Sequence, residues 1–243
     1  PGVLEWLKDI FDTIVNRWGY EYLKLDFLYA GAIDGLRHDP AATRAEAFRR
    51  GMSAIREASG DDTYILGCGA PLGQCLGLVN GMRISGDTAP YWHSRLQTDI
   101  LGHSTAPGVP NAARVLFSRY FMHRGLWLSD PDCLMSRFSK TALGGDEVLT
   151  HAACVALAGG PLVISDNLKE LKRESIRLIQ LLIPPADTPA VPVDFFESRI
   201  PSTLVMRFPR DYDDLTVAGR FNWNSHATDM PLEFEKLGLP PGR

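Results

Sequence analysis

Short apolar runs alternate with amphipathic helical patterns through the first 183 residues, and this alternation leaves the chain few folds to adopt. Residues 22–27, 63–68, 81–85, 126–129 and 161–165 read as strands. Residues 41–57, 112–123, 146–157 and 168–182 read as helices between and after them. Ahead of the first strand, Val3, Leu4, Leu7, Ile10, Phe11, Ile14, Val15 and Trp18 recur at three- and four-residue steps. They form the stripe of a helix packed on a core, with Gly19 as its stop. Strands separated by helices indicate βα units and a parallel sheet. After Pro184-Pro185 the pattern changes: residues 203–206 and 215–217 are short strands with no helix between them, which points to the start of a small β domain.

The acids sit where such a fold carries its chemistry. In four of the five strands an acid lies at or just past the C-terminal end: Asp26, Asp87, Asp130 with Asp132, and Asp166. The remaining strand ends in Cys68-Gly69. In an α/β barrel that face carries catalysis and the opposite face carries stability. Five strands cannot close an eight-stranded barrel. A barrel would therefore require about three further βα units ahead of Pro1.

Composition removes other classes. With 45% apolar residues the chain has enough Leu, Ile, Val and Phe for a core, so it is not disordered. No apolar run approaches the ~20 residues of a spanning helix, and no membrane partner is expected. The net charge is −4 and the basic residues are scattered among acids, which argues against a nucleic-acid partner. Cys68, Cys75, Cys133 and Cys154 form no CxxC and have no histidine at zinc-finger spacing. Reduced thiols suit a cytoplasmic protein. There is no GxGxxG after a strand and no P-loop, and the six histidines form no triad with a serine and an acid. Neither a cofactor nor a metal is expected. The chain opens on Pro1-Gly2-Val3 without a signal peptide pattern and reads as a piece of a larger protein, so secretion stays open.

Asp26 and Asp87 stand out because each has a cation nearby. Lys24 precedes Asp26 by two residues, which places both on one face of a strand. Arg83 precedes Asp87 by four, within reach if Gly86 allows a turn. Such acids can cap helices or pair with surface arginines, they can bind a metal, or they can work as a catalytic carboxylate pair with one ionised and one protonated. Cys68 reads equally as a buried thiol or a ligand contact. Tyr91 and Trp92 read as core or as a ligand platform. Asp130 and Asp132 read as loop organisers, and Asp166 as the N-cap of the helix starting at Leu168.

Four segments together resemble one family. The run Tyr22-Leu23-Lys24-Leu25-Asp26-Phe27-Leu28-Tyr29 is similar to the nucleophile strand of the glycoside hydrolase family 36 α-galactosidases. Gly67-Cys68-Gly69-Ala70-Pro71-Leu72-Gly73 resembles the next loop, and residues 82–92, with Arg83 and Asp87 in an RxxxD spacing, resemble the acid/base segment. Residues 120–134 resemble the seventh-strand segment, with Ser129 where Asn is expected. The four occur in family order within residues 1–183. The resemblance implies a (β/α)8 TIM barrel of which about strands 4–8 are present (residues 1–185), followed by the start of a C-terminal β domain (residues 186–243). It implies Asp26 as nucleophile and Asp87 as acid and then base, with Lys24, Cys68, Gly69, Arg83 and Trp92 binding the sugar. On this reading Lys24 keeps Asp26 ionised, and Asp87 stays protonated beside a like charge.

The implied activity is retaining hydrolysis of terminal α-galactosyl residues from oligosaccharides. Retention needs carboxyls about 5–5.5 Å apart, and inversion about 6.5–9.5 Å. The same scaffold also fits an α-N-acetylgalactosaminidase or a raffinose-synthase-type galactosyltransferase. A silent sugar-binding domain is the non-enzymatic alternative, although both acids are retained. Family members are often homo-oligomers, which extends that expectation here. The 243 residues alone are expected to be inactive, since a barrel short of three units has open edges.

Overall fold

The computed structural model describes residues 2–93, 100, 106–209, 211 and 214–239. The chain is an α/β protein with a parallel sheet, divided into two compact units. The first is Pro1–Arg83 with Leu126–Leu128, and the second is Ile84–Gly125 with Ser129–Arg243.

In the first unit, α1 (Gly2–Asp12) runs into a wider π turn at Thr13–Arg17 and stops near Gly19, whose φ is +78°. Then come β1 (Tyr22–Leu25), α2 (Arg44–Ser59), β2 (Tyr64–Gly67) and β3 (Gly81–Arg83). The three strands are parallel, with Tyr22 opposite Tyr64, Leu25 opposite Gly67 and Gly67 opposite Met82. Helix α2 begins where the sequence supplies a capping box. Thr43 Oγ1 accepts from Glu46 N–H, and Glu46 Oε2 accepts from Thr43 N–H. Its residues Phe48, Met52 and Ile55 share one face and are buried, as are Ile65, Leu66 and Met82 of the strands. Helix α1 packs along α2 and buries Phe11, while Val3 and Trp6 stay exposed.

Strand β4 (Leu128–Asp130) contributes to both units. Leu128 N–H donates to Asn80 O in the first, and Asp130 O accepts from Ile84 N–H in the second. The second unit continues with β5 (Cys133–Leu134) parallel to β6 (Val163–Ile164). Its helices are α3 (Val109–Ser118), α4 (Gly145–Ala158) and α5 (Arg173–Leu181). Val109, Met135, Leu143 and Val148 form one core cluster, and Leu134, Ala152 and Ile179 another. The chain then forms β7 (Val191–Pro192), β8 (Thr203–Phe208) and β9 (Leu215–Arg220), an antiparallel sheet in the order β7-β8-β9. Thr203 lies opposite Arg220, and Phe208 opposite Leu215.

Several elements differ from the sequence reading. The first strand ends at Leu25 because Phe27 takes a left-handed φ of +53°. The expected strand at 126–129 becomes two short ones, β4 and β5, because Pro131 and a left-handed Asp132 (φ +79°) interrupt it. Helix α3 starts three residues early, at Val109, with Pro110 in its first turn where a missing N–H costs nothing. It ends at Ser118, and residues 120–122 form a separate 3-10 turn. The helix expected from Leu168 starts at Arg173, after one 3-10 turn at Leu168–Glu170 and an extended Leu171 and Lys172.

Candidate active site

The first unit brings together five of the residues singled out in the sequence: Lys24, Asp26, Cys68, Gly69 and Arg83. The ends of β1 and β2 are stapled by backbone bonds. Cys68 N–H donates to Leu25 O at 2.8 Å, Leu28 N–H to Cys68 O at 3.2 Å and Tyr29 N–H to Gly69 O at 2.6 Å. Gly69 has a φ of +57°, a conformation that a Cβ would strain. The crossing of these bonds sets the Cys68 side chain beside Asp26.

Asp26 is exposed to solvent, just past the end of β1. Its carboxyl is held below the usual range, first by a hydrogen bond from the Cys68 thiol. The next contribution is the Phe27 N–H, which donates to Asp26 Oδ1 at 2.7 Å. Burial opposes the shift slightly, and the charges of Lys24 and Arg83 add to it weakly. This differs from the sequence expectation that Lys24 keeps Asp26 ionised. Hydrogen bonds to the carboxylate act at contact distance, while the lysine charge acts through solvent. Burial, and then the bond to Asp26, pushes the Cys68 thiol up to about 11, so it remains a protonated donor. Arg83 is buried on β3, and its charge reaches both Asp26 and Cys68. The Phe27 N–H escaped the sequence reading. The torsions of Asp26 itself aim that donor at its own carboxylate, and nothing in the sequence reveals them.

Asp87 and Trp92 belong to the second unit. Asp87 is exposed, on the loop that follows β3, and its carbonyl accepts from Gly108 N–H at 3.2 Å. Thr88, beside it, donates from both N–H and Oγ1 to Asp132 Oδ2 at 2.8 Å. Asp132 N–H in turn donates to Asp130 Oδ1 at 2.9 Å. Pro90 O accepts from Ala142 N–H at 2.9 Å and from Thr141 Oγ1 at 3.2 Å. The loop is thus fastened at Asp87 and over the three residues that follow it. Trp92 is half-buried against Val109, Met135, Leu143 and Val148, with its ring 6.0 Å from that of Trp223 in a stacked arrangement. Trp223 stacks on Phe221, which contacts Phe117 of α3.

Asp166 is no helix cap. Asn167 caps the turn at Leu168–Glu170 through Lys169 N–H. The Asp166 side chain is wholly buried, accepts from Ser136 N–H and Oγ at 2.6 and 2.9 Å, and faces Arg137 at 3.4 Å. His123 Nδ1 accepts from Ser129 N–H, and His151 Nε2 donates to Cys133 O. Burial pushes both imidazoles down, which marks them as neutral core groups. Among the described residues no group of three or more His, Cys, Asp or Glu is placed to hold a metal, and no helix is long and apolar enough to cross a membrane.

An ionised, solvent-open carboxylate at the C-terminal end of a parallel strand, backed by a protonated thiol and two cations, is equipped to attack an electrophilic carbon or stabilise positive charge there. Comparison with known structures finds α-galactosidases. The α-galactosidase from Thermus thermophilus in complex with stachyose superimposes with a TM-score of 0.64 at 33% identity, over 74% of this chain and 37% of the other. The same enzyme in complex with p-nitrophenyl α-D-galactopyranoside gives a TM-score of 0.65 at 33% identity, over 75% and 36%. α-Galactosidase I from Mortierella vinacea, at 14% identity, shares the fold with a TM-score of 0.61 over 87% and 55%. No family model matches the sequence. In fold and sequence the chain is thus similar to α-galactosidases, consistent with a fragment of a family 36-like α-galactosidase. It spans little more than a third of the length of the Thermus enzyme.

Proposed function

We propose that the protein hydrolyses terminal α-galactosyl residues from oligosaccharides with retention of configuration. The observation that carries this reading is Asp26, an exposed carboxylate held ionised by the Cys68 thiol and the Phe27 N–H. Likeness to an α-galactosidase seen with stachyose and with an aryl α-galactoside supports the substrate class. Asp26 attacks the anomeric carbon as the glycosidic bond to the leaving oxygen breaks, giving a covalent glycosyl-enzyme. Asp87 gives its proton to the leaving oxygen, then takes one from the water that releases the sugar. Lys24, Arg83 and the Cys68–Gly69 turn line the sugar's hydroxyls, and Trp92 borders the leaving group.

The strands through β6 correspond, on this reading, to about the fourth to eighth of a (β/α)8 barrel. Residues 186–243, with the β7-β8-β9 sheet, begin a C-terminal β domain. The proposed setting is cytoplasmic.

The test is hydrolysis of nitrophenyl α-galactoside, α-N-acetylgalactosaminide and α-glucoside by the full-length protein beside Asp26→Ala. The expected result is turnover of the galactoside alone, lost in the variant. Folded protein that turns over none of the three overturns the reading.

A further inference from the structure

We infer that Asp132 is a positioning residue for Asp87, acting through Thr88; the inference rests on the acid/base role proposed for Asp87. The geometry carries it. Asp132 Oδ2 receives both donors of Thr88, the backbone N–H and the hydroxyl, each at 2.8 Å. That grips the residue immediately after Asp87 at two points and fixes the peptide that joins them. The carboxyl itself is held, because Asp132 N–H donates to Asp130 Oδ1 at 2.9 Å. Asp130 also accepts through its carbonyl from Ile84 N–H at 3.3 Å, on the other side of Asp87. The turn Asp130-Pro131-Asp132 therefore holds the acid/base loop at both ends.

Three features show that this turn is built rather than incidental. Asp130 and Asp132 are both buried, and buried carboxylates are retained only where their bonds are made. Asp132 holds a left-handed φ of +79°, a strained conformation of the kind that persists where its surroundings impose it. The neighbouring chain at Gly160 lies so close to the Ser129 carbonyl that a Cβ has no room. Asp87, by contrast, is exposed, and neither Asp132 nor Thr88 supplies the transferred proton. Their contribution is to keep the Asp87 backbone where its carboxyl meets the leaving oxygen. Small displacements of a catalytic group are expensive, with about 1 Å costing on the order of 100-fold.

The experiment separates positioning of the acid from general damage by leaving group. An alkyl α-galactoside needs a proton on its departing oxygen, whereas a dinitrophenyl α-galactoside departs without one. The value of kcat/KM reports the step that forms the glycosyl-enzyme. Full-length Asp132→Ala and Thr88→Val are compared with wild type and with Asp87→Ala on both substrates. For Asp132→Ala, kcat/KM on the alkyl galactoside falls about 10- to 100-fold. On the dinitrophenyl substrate it stays within about three-fold, and azide restores turnover there by replacing the poorly activated water. Thr88→Val moves the ratio in the same direction by a smaller factor, and Asp132→Asn, which keeps an acceptor oxygen, recovers part of it. Equal losses on both substrates for Asp132→Ala overturn the inference, as does a wild-type ratio in Thr88→Val. A wild-type ratio in Asp87→Ala refutes instead the acid/base role on which the inference stands.

Discussion

Replacing Asp166 by alanine distinguishes a buried clasp from a helix cap, because the two roles predict different losses. Asp166, two residues past β6, is joined to Ser136, two residues past β5. Its Oδ2 accepts from Ser136 N–H and Oγ, and its Oδ1 faces Arg137. In the alanine variant the Ser136 N–H is left buried without its acceptor, a loss of about 1–3 kcal/mol. The hydroxyl rotates to another partner or adds about 1 kcal/mol. Loss of the pairing with Arg137, whose side chain is one-third exposed, adds no more than about 1 kcal/mol after solvent screening. The total is about 3 kcal/mol. A helix cap lost at the same position costs about 1 kcal/mol. For a protein of this size, 3 kcal/mol corresponds to a melting point lower by about 6–12 °C. Urea titration gives the same quantity as a fall in midpoint at constant slope. Asn167→Ala, which removes the cap seen in the structure, is the internal standard and costs about 1 kcal/mol. Equal midpoints for Asp166→Ala and Asn167→Ala refute the clasp. A double-mutant cycle with Ser136→Ala then tests the pairing, since contacting residues do not add.

Two further outcomes follow from the same structure. Cys68→Ala removes the largest influence holding the Asp26 carboxyl low, so the acidic limb of the pH dependence of kcat/KM moves to higher pH. The same sign governs stability: a carboxyl lowered on folding stabilises above its unfolded pKa, and that contribution fades as pH falls through the folded value. An acidic limb that stays in place shows that the thiol does not tune Asp26. Gly159→Ala, at a left-handed φ of +73° where a Cβ meets the backbone of Thr188, lowers stability by about 2 kcal/mol or more, measured by urea titration.

Much of the architecture is written in local pattern. Helix α2 carries its capping box in Thr43 and Glu46 and its buried face in Phe48, Met52 and Ile55, all within thirteen residues. The turn after α4 follows from Gly159-Gly160, and the parallel pairing of β1 with β2 follows from the α2 crossover between two apolar runs. The candidate acids were legible for the same reason: they stand at the ends of those runs.

What stayed hidden depends on groups distant in sequence or on a single backbone angle. Asp166 looked like a cap because its nearest helical pattern is two residues away, while its true partner, Ser136, is 30 residues off, just past β5. Trp92 read as core or as a ligand contact, and only the fold shows Trp223 stacked on it from another part of the second unit. Lys24 looked like the guardian of Asp26 because sequence shows charge and spacing. The thiol of Cys68 and the Phe27 N–H outweigh it because they touch the carboxylate. The sequence by itself determined the βα alternation and where the acids fall, since periodicity and strand ends are local properties of a chain. Tertiary structure alone decided which donor each carboxylate meets, because a hydrogen bond requires contact distance, and only the fold sets which distant residues reach it.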